Sequence, residues 1–306
     1  MKARLVVLGY RLGWGALRVL PAGLVAVAFR LGADLAYRRN GKGVQRLRCN
    51  LRRVLGPDAA AARLEDVVRA GMRSYARYWM EVFRLSVIPP EVVVGRMTVD
   101  GEHRLGEAMA AGRGMILALA HSGNWDHAGA WLVRKHGIRF TTVAERLEPA
   151  EVFDRFVAFR ESLGMEVLPL TGGPPPSGVL AERLRAGGAL CLLADRDLSA
   201  SGVGVHFFGE RATMPAGPAH LALTTGAALM PTVLWFDGDG WAAHVGAPVP
   251  PSDVATMTQA MAETFETWIG RHPEDWHMLQ RLWTADLDAA RVTPRTSSDE
   301  DAAEAV

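Results

Sequence analysis

Residues 115–133 read MILALAHSGNWDHAGAWLV, and the change of texture inside this stretch decides the fold. MILALA (115–120) is a short continuous apolar run of strand length, whereas HAGAWLVRKHG (127–137) carries its apolar residues at helical spacing. Between them, Ser122-Gly123-Asn124 has the residues of a turn. A strand that turns directly into a helix is the building unit of an α/β sheet.

The alternation continues outward. RFTTVA (139–144) reads as a strand, 149–163 as a helix, and MEVLPL (165–170) as a strand before the Gly/Pro loop TGGPPPSG (171–178). A helix at 178–186 leads to the strands GALCLLA (188–194) and VGVHFFG (203–209). A helix at 216–226, strands at 228–236 and 241–247, and a helix at 252–271 follow. This rhythm predicts an α/β fold, an αβα sandwich around a mostly parallel central sheet. In such sheets the ligand crevice lies beyond the carboxyl ends of the strands. Upstream, 58–85 reads as one long helix that Asp58 is placed to cap. Its aromatic cluster Tyr75, Tyr78, Trp79 and Phe83 reads as core packing, and Pro89-Pro90 ends the helical region.

The 306 residues are 49% hydrophobic, enough for one large domain or two modest ones. The two cysteines, Cys49 and Cys191, are far apart and fit a reducing compartment rather than a disulfide framework or structural zinc. Charge is unevenly placed. Residues 1–56 hold twelve Lys/Arg against the single acid Asp34, while the rest of the chain carries 22 basic and 32 acidic side chains. The apolar run 19–29 between Arg18 and Arg30 is eleven residues long. A bilayer span needs about 20, so it is too short to cross. A secretory signal is a rival reading, but Arg11 and Arg18 interrupt its apolar region. The favoured reading of 1–56 is basic amphipathic helices on an anionic membrane surface, with a solvated helix pair packed on the core as the alternative. No nucleic-acid-binding motif accompanies the charge, so nucleic acid is not expected as a partner. The expected division is 1–56 helices, 57–289 catalytic α/β domain, and 290–306 a disordered polar tail.

His121 follows MILALA at the strand end, and Asp126 falls in the first helical turn. A turn there would fold the carboxylate of Asp126 onto the imidazole, fixing its tautomer and stabilising the imidazolium. No Gly-x-Ser-x-Gly elbow supplies an enzyme nucleophile. If the substrate brings its own hydroxyl, a His/Asp pair suffices to activate it, which is acyl transfer to an alcohol. A hydrogen-bonded histidine at a strand end, with no catalytic role, is the plain alternative. A metal site built from His121, Asp126, His127 and His103 is disfavoured, because Asp126 and His127 are neighbours that point apart on a helix. Gly-x-Gly-x-x-Gly and P-loop patterns are absent.

Four blocks of sequence make the reading more specific. They are ALAHSGNWDHAGAWLV (118–133), TTVAERLEPAEVFDRFVAFRESLGMEVLPLTGG (141–173), ADRDLSASGVGVHFFGERATMPAGPAHLAL (194–223) and DWHMLQ (275–280). Together they resemble the lipid A biosynthesis acyltransferase group of the glycerolipid acyltransferases, and within it the members that acylate phosphatidylinositol mannosides. The likeness runs from SYARYW (74–79) to about residue 280. It implies transfer of a long acyl group, typically palmitoyl, from acyl-CoA. The implied acceptor is the 6-hydroxyl of the mannose on the inositol 2-position of a phosphatidylinositol mannoside, at the cytoplasmic face of the inner membrane. The enzyme would be peripheral and need no cofactor beyond the co-substrate. The resemblance further implies His121 as base, Asp126 as its partner, Asp195 at the active site, and Glu145 and Arg160 as substrate-site organisers. Close members are expected to carry Glu where this chain has Asp195. A lipid A-type transferase with another glycolipid acceptor, a non-catalytic lipid-binding protein and a metal-dependent hydrolase are the rival functions.

Overall fold

Strand β2 (Met115–Leu119) is buried at every residue, and the sheet is built around it. In the computed structural model, which describes residues 13–146, 150–171, 175–197 and 202–287, seven strands form one sheet. They are β1 (Met97–Asp100), β2, β3 (Phe140–Ala144), β4 (Met165–Pro169), β5 (Ala189–Leu193), β8 (Ala228–Asp237) and β9 (Gly240–Val245), in the order β1-β9-β8-β2-β5-β3-β4. Every adjacent pair is parallel except β8 with β9. The fold is therefore α/β with a mostly parallel sheet. The tail 290–306 and the first twelve residues of the basic block lie outside the described residues.

Helices cover both faces. One face packs under α8 (Ser177–Arg185), α9 (Gly217–Thr225) and α10 (Val254–Arg271), around Phe265, Trp276 and Trp283. The other packs under α3 (Ala61–Arg84), α4 (Pro90–Gly95), α5 (His103–Ala110), α6 (Trp125–His136) and α7 (Ala150–Ser162). Among the helices that precede these, α1 (Ala22–Arg39) and α2 (Lys42–Leu55) both lie against α3.

Several sequence expectations need correction. VGVHFFG does not join the main sheet: β6 (Val203–Phe207) pairs antiparallel with β7 (Glu210–Met214) in a separate hairpin, turned at Phe208-Gly209, both at positive φ. The sequence reading missed β7 because ERATM has a weak apolar pattern. Asp58 does not cap the long helix, whose N-cap is Ala60 with no side-chain hydrogen bond. Pro90 does not end helical structure but opens α4, since a proline at the first helical position has no N–H to lose.

Helices α1 and α2 are not alike. In α2, Val44, Leu47 and Leu51 are buried, while Arg46, Arg48 and Arg53 form ion pairs with Asp286, Glu65 and Glu210. In α1 the exposed residues include Leu24, Val27, Leu31 and Leu35, spaced to share one face, and Leu20 just before it. No helix among the described residues is long and apolar enough to cross a membrane.

Candidate active site

The register of β2 on β5 builds the centre of the site. Leu119 lies opposite Leu193, and the Ala194 N–H donates to the Leu119 carbonyl at 2.8 Å. Two residues further along both chains, the same register brings His121 level with Asp195. Asp195 Oδ1 is 2.5 Å from His121 Nδ1, and Asp195 Oδ2 accepts the backbone N–H of His121 at 2.9 Å. The indole N–H of Trp276 donates to the same Oδ2 at 2.9 Å. Asp195 is fully buried, whereas 27% of the His121 side chain stays exposed. Burial pushes the Asp195 carboxyl up, but the charge and hydrogen bonds of His121, with the indole bond, outweigh it and hold it below its ordinary value. With Nδ1 engaged by a carboxylate, Nε2 is the ring position left to exchange a proton with a substrate.

The turn that follows is held from below. Gly123 sits at φ +57°, and a Cβ there would meet the Leu234 carbonyl carbon at 2.7 Å, so only glycine fits. Asn124 caps α6 by accepting the His127 N–H at 2.9 Å. Its amide donates to Glu81 Oε2 at 2.7 Å, the oxygen that also accepts the Trp241 indole N–H. Arg77 donates to the other Glu81 oxygen at 2.7 Å. A buried carboxylate on α3 thus ties the HSGN turn to β9.

Asp126 does not meet His121. Standing one residue inside α6, its carboxylate is directed to α7 and α3 instead. Its Oδ1 accepts Arg160 Nε at 2.7 Å, and its Oδ2 accepts Arg160 Nη2 at 3.1 Å and the Tyr78 hydroxyl at 2.9 Å. This corrects the expected His121–Asp126 pair. Four intervening residues suggested proximity, but helix geometry turns the carboxylate away while the parallel register delivers another. Burial disfavours the charge of Arg160, yet Asp126 outweighs it and lifts the guanidinium above its ordinary value. Burial, reinforced by Asp126, raises the Tyr78 phenol well above its usual range.

The structure therefore joins His121 with Asp195, and Asp126 with Arg160. Burial holds the half-buried Arg196 guanidinium below its ordinary value, partly offset by the charges of Glu145, which is exposed just after β3, and of Asp195. Three contributors were missed in the sequence. Tyr78 reads as core packing, Glu81 carries no local signal, and Trp276 reads only as part of DWHMLQ (275–280). The one available signal was the parallel between LALAH and CLLAD, strand ends of equal length closing on a histidine and an acid. Aspartate in place of the expected Glu still reaches the backbone N–H and Nδ1 of His121. His127 stacks on Trp241 at 3.5 Å between ring centroids, and no three metal-ligating side chains converge among the described residues.

Beside this centre an apolar cavity runs between α6 and the sheet. Leu117, Leu119, Cys191, Leu193, Leu234 and Val245 line it, and Trp125, Asp126 and Arg160 belong to its wall. The Trp125 ring centroid is 5.8 Å from that of His121, so one ring of the cavity wall lies beside the imidazole. Gly129 of α6 faces it closely: a Cβ there would fall 2.7 Å from Met165 and 2.8 Å from Phe140.

Comparison with known proteins agrees over almost the whole length. Residues 3–285 match the family described as bacterial lipid A biosynthesis acyltransferase. The chain is 52% identical over 292 residues to the phosphatidylinositol mannoside acyltransferase of Mycolicibacterium smegmatis, covering 93% of each. It is 51% identical over 287 residues to the protein of that name from Mycobacterium tuberculosis (strain H37Rv), covering 92% of this chain and 90% of the relative.

Proposed function

The chain belongs to the bacterial lipid A biosynthesis acyltransferase family, and on that premise we propose that it moves a long acyl group, palmitoyl, from acyl-CoA to a phosphatidylinositol mannoside. The acceptor is the 6-hydroxyl of the mannose on the inositol 2-position. The single observation that carries the mechanism is the His121–Asp195 contact, beside which Trp125 belongs to the wall of an apolar cavity. His121 takes the hydroxyl proton on Nε2 as the sugar oxygen attacks the thioester carbonyl. Asp195 supports the imidazolium so formed. The tetrahedral intermediate then expels the thiolate, which takes the proton from His121, leaving an ester and free CoA thiol. The acyl chain lies in the cavity, where each buried methylene contributes about 0.8 kcal/mol.

The exposed face of α1, with Leu24, Val27, Leu31 and Leu35 near the exposed Arg30, Arg38 and Arg39, suits an anionic membrane surface. This supports a peripheral enzyme at the cytoplasmic face of the membrane that holds the acceptor lipid. Sedimentation of the protein with anionic vesicles checks this, and a protein left in the supernatant would remove it.

The decisive assay mixes palmitoyl-CoA with a mannosylated phosphatidylinositol and follows both free thiol and acylated lipid. Wild type should release the two in equal amounts, and His121→Ala should reduce both by at least about 10³-fold while remaining folded. Near-normal turnover by that variant would sink the mechanism, and turnover with a lipid A-type acceptor only would sink the substrate.

A further inference from the structure

The segment 275–277 lies directly behind the catalytic turn and runs antiparallel to it. The His277 N–H donates to the His121 carbonyl at 2.8 Å, and the Gly123 N–H donates to the Asp275 carbonyl at 2.9 Å. Ser122 and Trp276 form the isolated bridge between them. The side chain of Trp276, completely buried against Phe207 and Trp283, donates its N–H to Asp195 at 2.9 Å. Trp276 thus stands between the two residues whose backbones bond the His121 segment, while its own indole bonds Asp195.

The segment itself has little freedom. Ser74 of α3 donates to Asp275 Oδ1 at 2.5 Å, and its hydroxyl is 2.8 Å from His277 Nε2. Asp275 Oδ2 accepts the Phe236 N–H at 2.9 Å. The Asn50 amide of α2 holds the Met278 and Gln280 carbonyls at 2.7 and 2.9 Å. A buried polar side chain fixed on rigid elements is what keeps a reacting group within a narrow range of geometry.

We propose that Trp276 is a positioning residue of the acyl transfer, acting through Asp195 to hold the His121 imidazole in one tautomer and one orientation. It rests on His121 being the base. The indole N–H occupies the Asp195 oxygen that also takes the His121 backbone N–H, so the other oxygen is presented to Nδ1 alone. The other charged or titratable groups around the pair are Arg196, which feels the charge of Asp195, His277, which feels that of His121, and Asp275 behind the turn. None of these changes when the indole N–H is removed.

Trp276→Phe keeps a buried ring and the backbone bridge while deleting the N–H. Loss of a hydrogen bond to a carboxylate should lower kcat by about 10- to 100-fold, with KM for both substrates within about twofold. A less stabilised carboxylate holds the imidazole proton more firmly. The acid limb of the kcat/KM profile should therefore move to higher pH. A purely structural loosening would reduce active enzyme at every pH and leave that limb in place. If Trp276→Phe does not fold, benzothienylalanine at 276, with sulfur for N–H in the same ring outline, carries the same expectation. An unmoved limb in a folded variant overturns the proposal. Should His121→Ala retain turnover, it is the mechanism above that fails, whatever Trp276→Phe does.

Discussion

Asp195 and Asp126 are both buried carboxylates at the carboxyl end of the same sheet, yet their partners differ in kind. Asp195 is met by an imidazole, a backbone N–H and an indole N–H. Asp126 is met by the two-pronged guanidinium of Arg160 and the Tyr78 hydroxyl. An arginine stays charged throughout, so the Asp126 pair is fixed and holds α6, α7 and α3 together. An imidazole can take up and release a proton on its second nitrogen, so the Asp195 pair can follow a reaction. The chemistry of a carboxylate here is decided by its partner and not by its distance in sequence from His121.

The strongest test of that contrast is Asp195→Asn. The amide oxygen can still accept from His121 N and Trp276, which leaves its NH₂ facing His121 Nδ1. That arrangement forces the ring proton onto Nε2 and removes the base. Activity should fall on the order of 10⁴-fold, the size of effect known when a base is held in the wrong tautomer, with the fold kept. Initial rates alongside thermal unfolding would show it. Full activity in the variant would return the partner role to Asp126.

Asp126→Asn should act on stability first. Removing one charge of a buried pair leaves Arg160 uncompensated and costs about 3–5 kcal/mol. Denaturant unfolding measures this directly. Asp126→Leu combined with Arg160→Met should recover much of the loss, because the apolar cavity wall can accept both side chains. In neither variant should the acid limb of kcat/KM move. A shifted limb would mean that the two carboxylates are coupled after all.

The sequence made the sheet legible because β2, β5 and β8 are apolar runs of strand length punctuated by turns. It also placed His121, Asp195 and Glu145 correctly at strand ends. What it could not yield was the choice between two acids, since that depends on which strand lies beside β2, and strand order is not written in local pattern. Asp126 had nearness in the chain, and Asp195 had nearness in the sheet. Tyr78 and Trp276 were hidden for a related reason: an aromatic at helical or loop spacing reads as core, and both are indeed core with one polar atom turned to the site. The separate β6–β7 hairpin was missed because nothing in VGVHFFG says whether its neighbour is β5 or the chain that follows.

A smaller effect extends the contrast to imidazoles. His121 keeps a carboxylate partner and a solvent-facing side, whereas His127 and His277 are sealed in without an acid. Burial lowers both from the ordinary 6.5 to about 3, His277 with some repulsion from His121. A histidine held down in this way contributes its full stability above about pH 6.5 and loses it as pH falls toward 3. Asp275 has the opposite sign: raised by burial to about 6, it favours the folded state at low pH and loses that contribution as pH rises through 6. Between pH 6.5 and 4 the two imidazoles outweigh the one acid, so stability should fall on acidification. His127→Phe should retain the stack on Trp241 and lose only the weak 3.2 Å contact to the Val93 carbonyl. The slope of unfolding free energy over this window should then decrease by up to one proton, about 1.4 kcal/mol per pH unit. An unchanged slope would mean that His127 takes up its proton within the fold, and that burial alone does not distinguish it from His121.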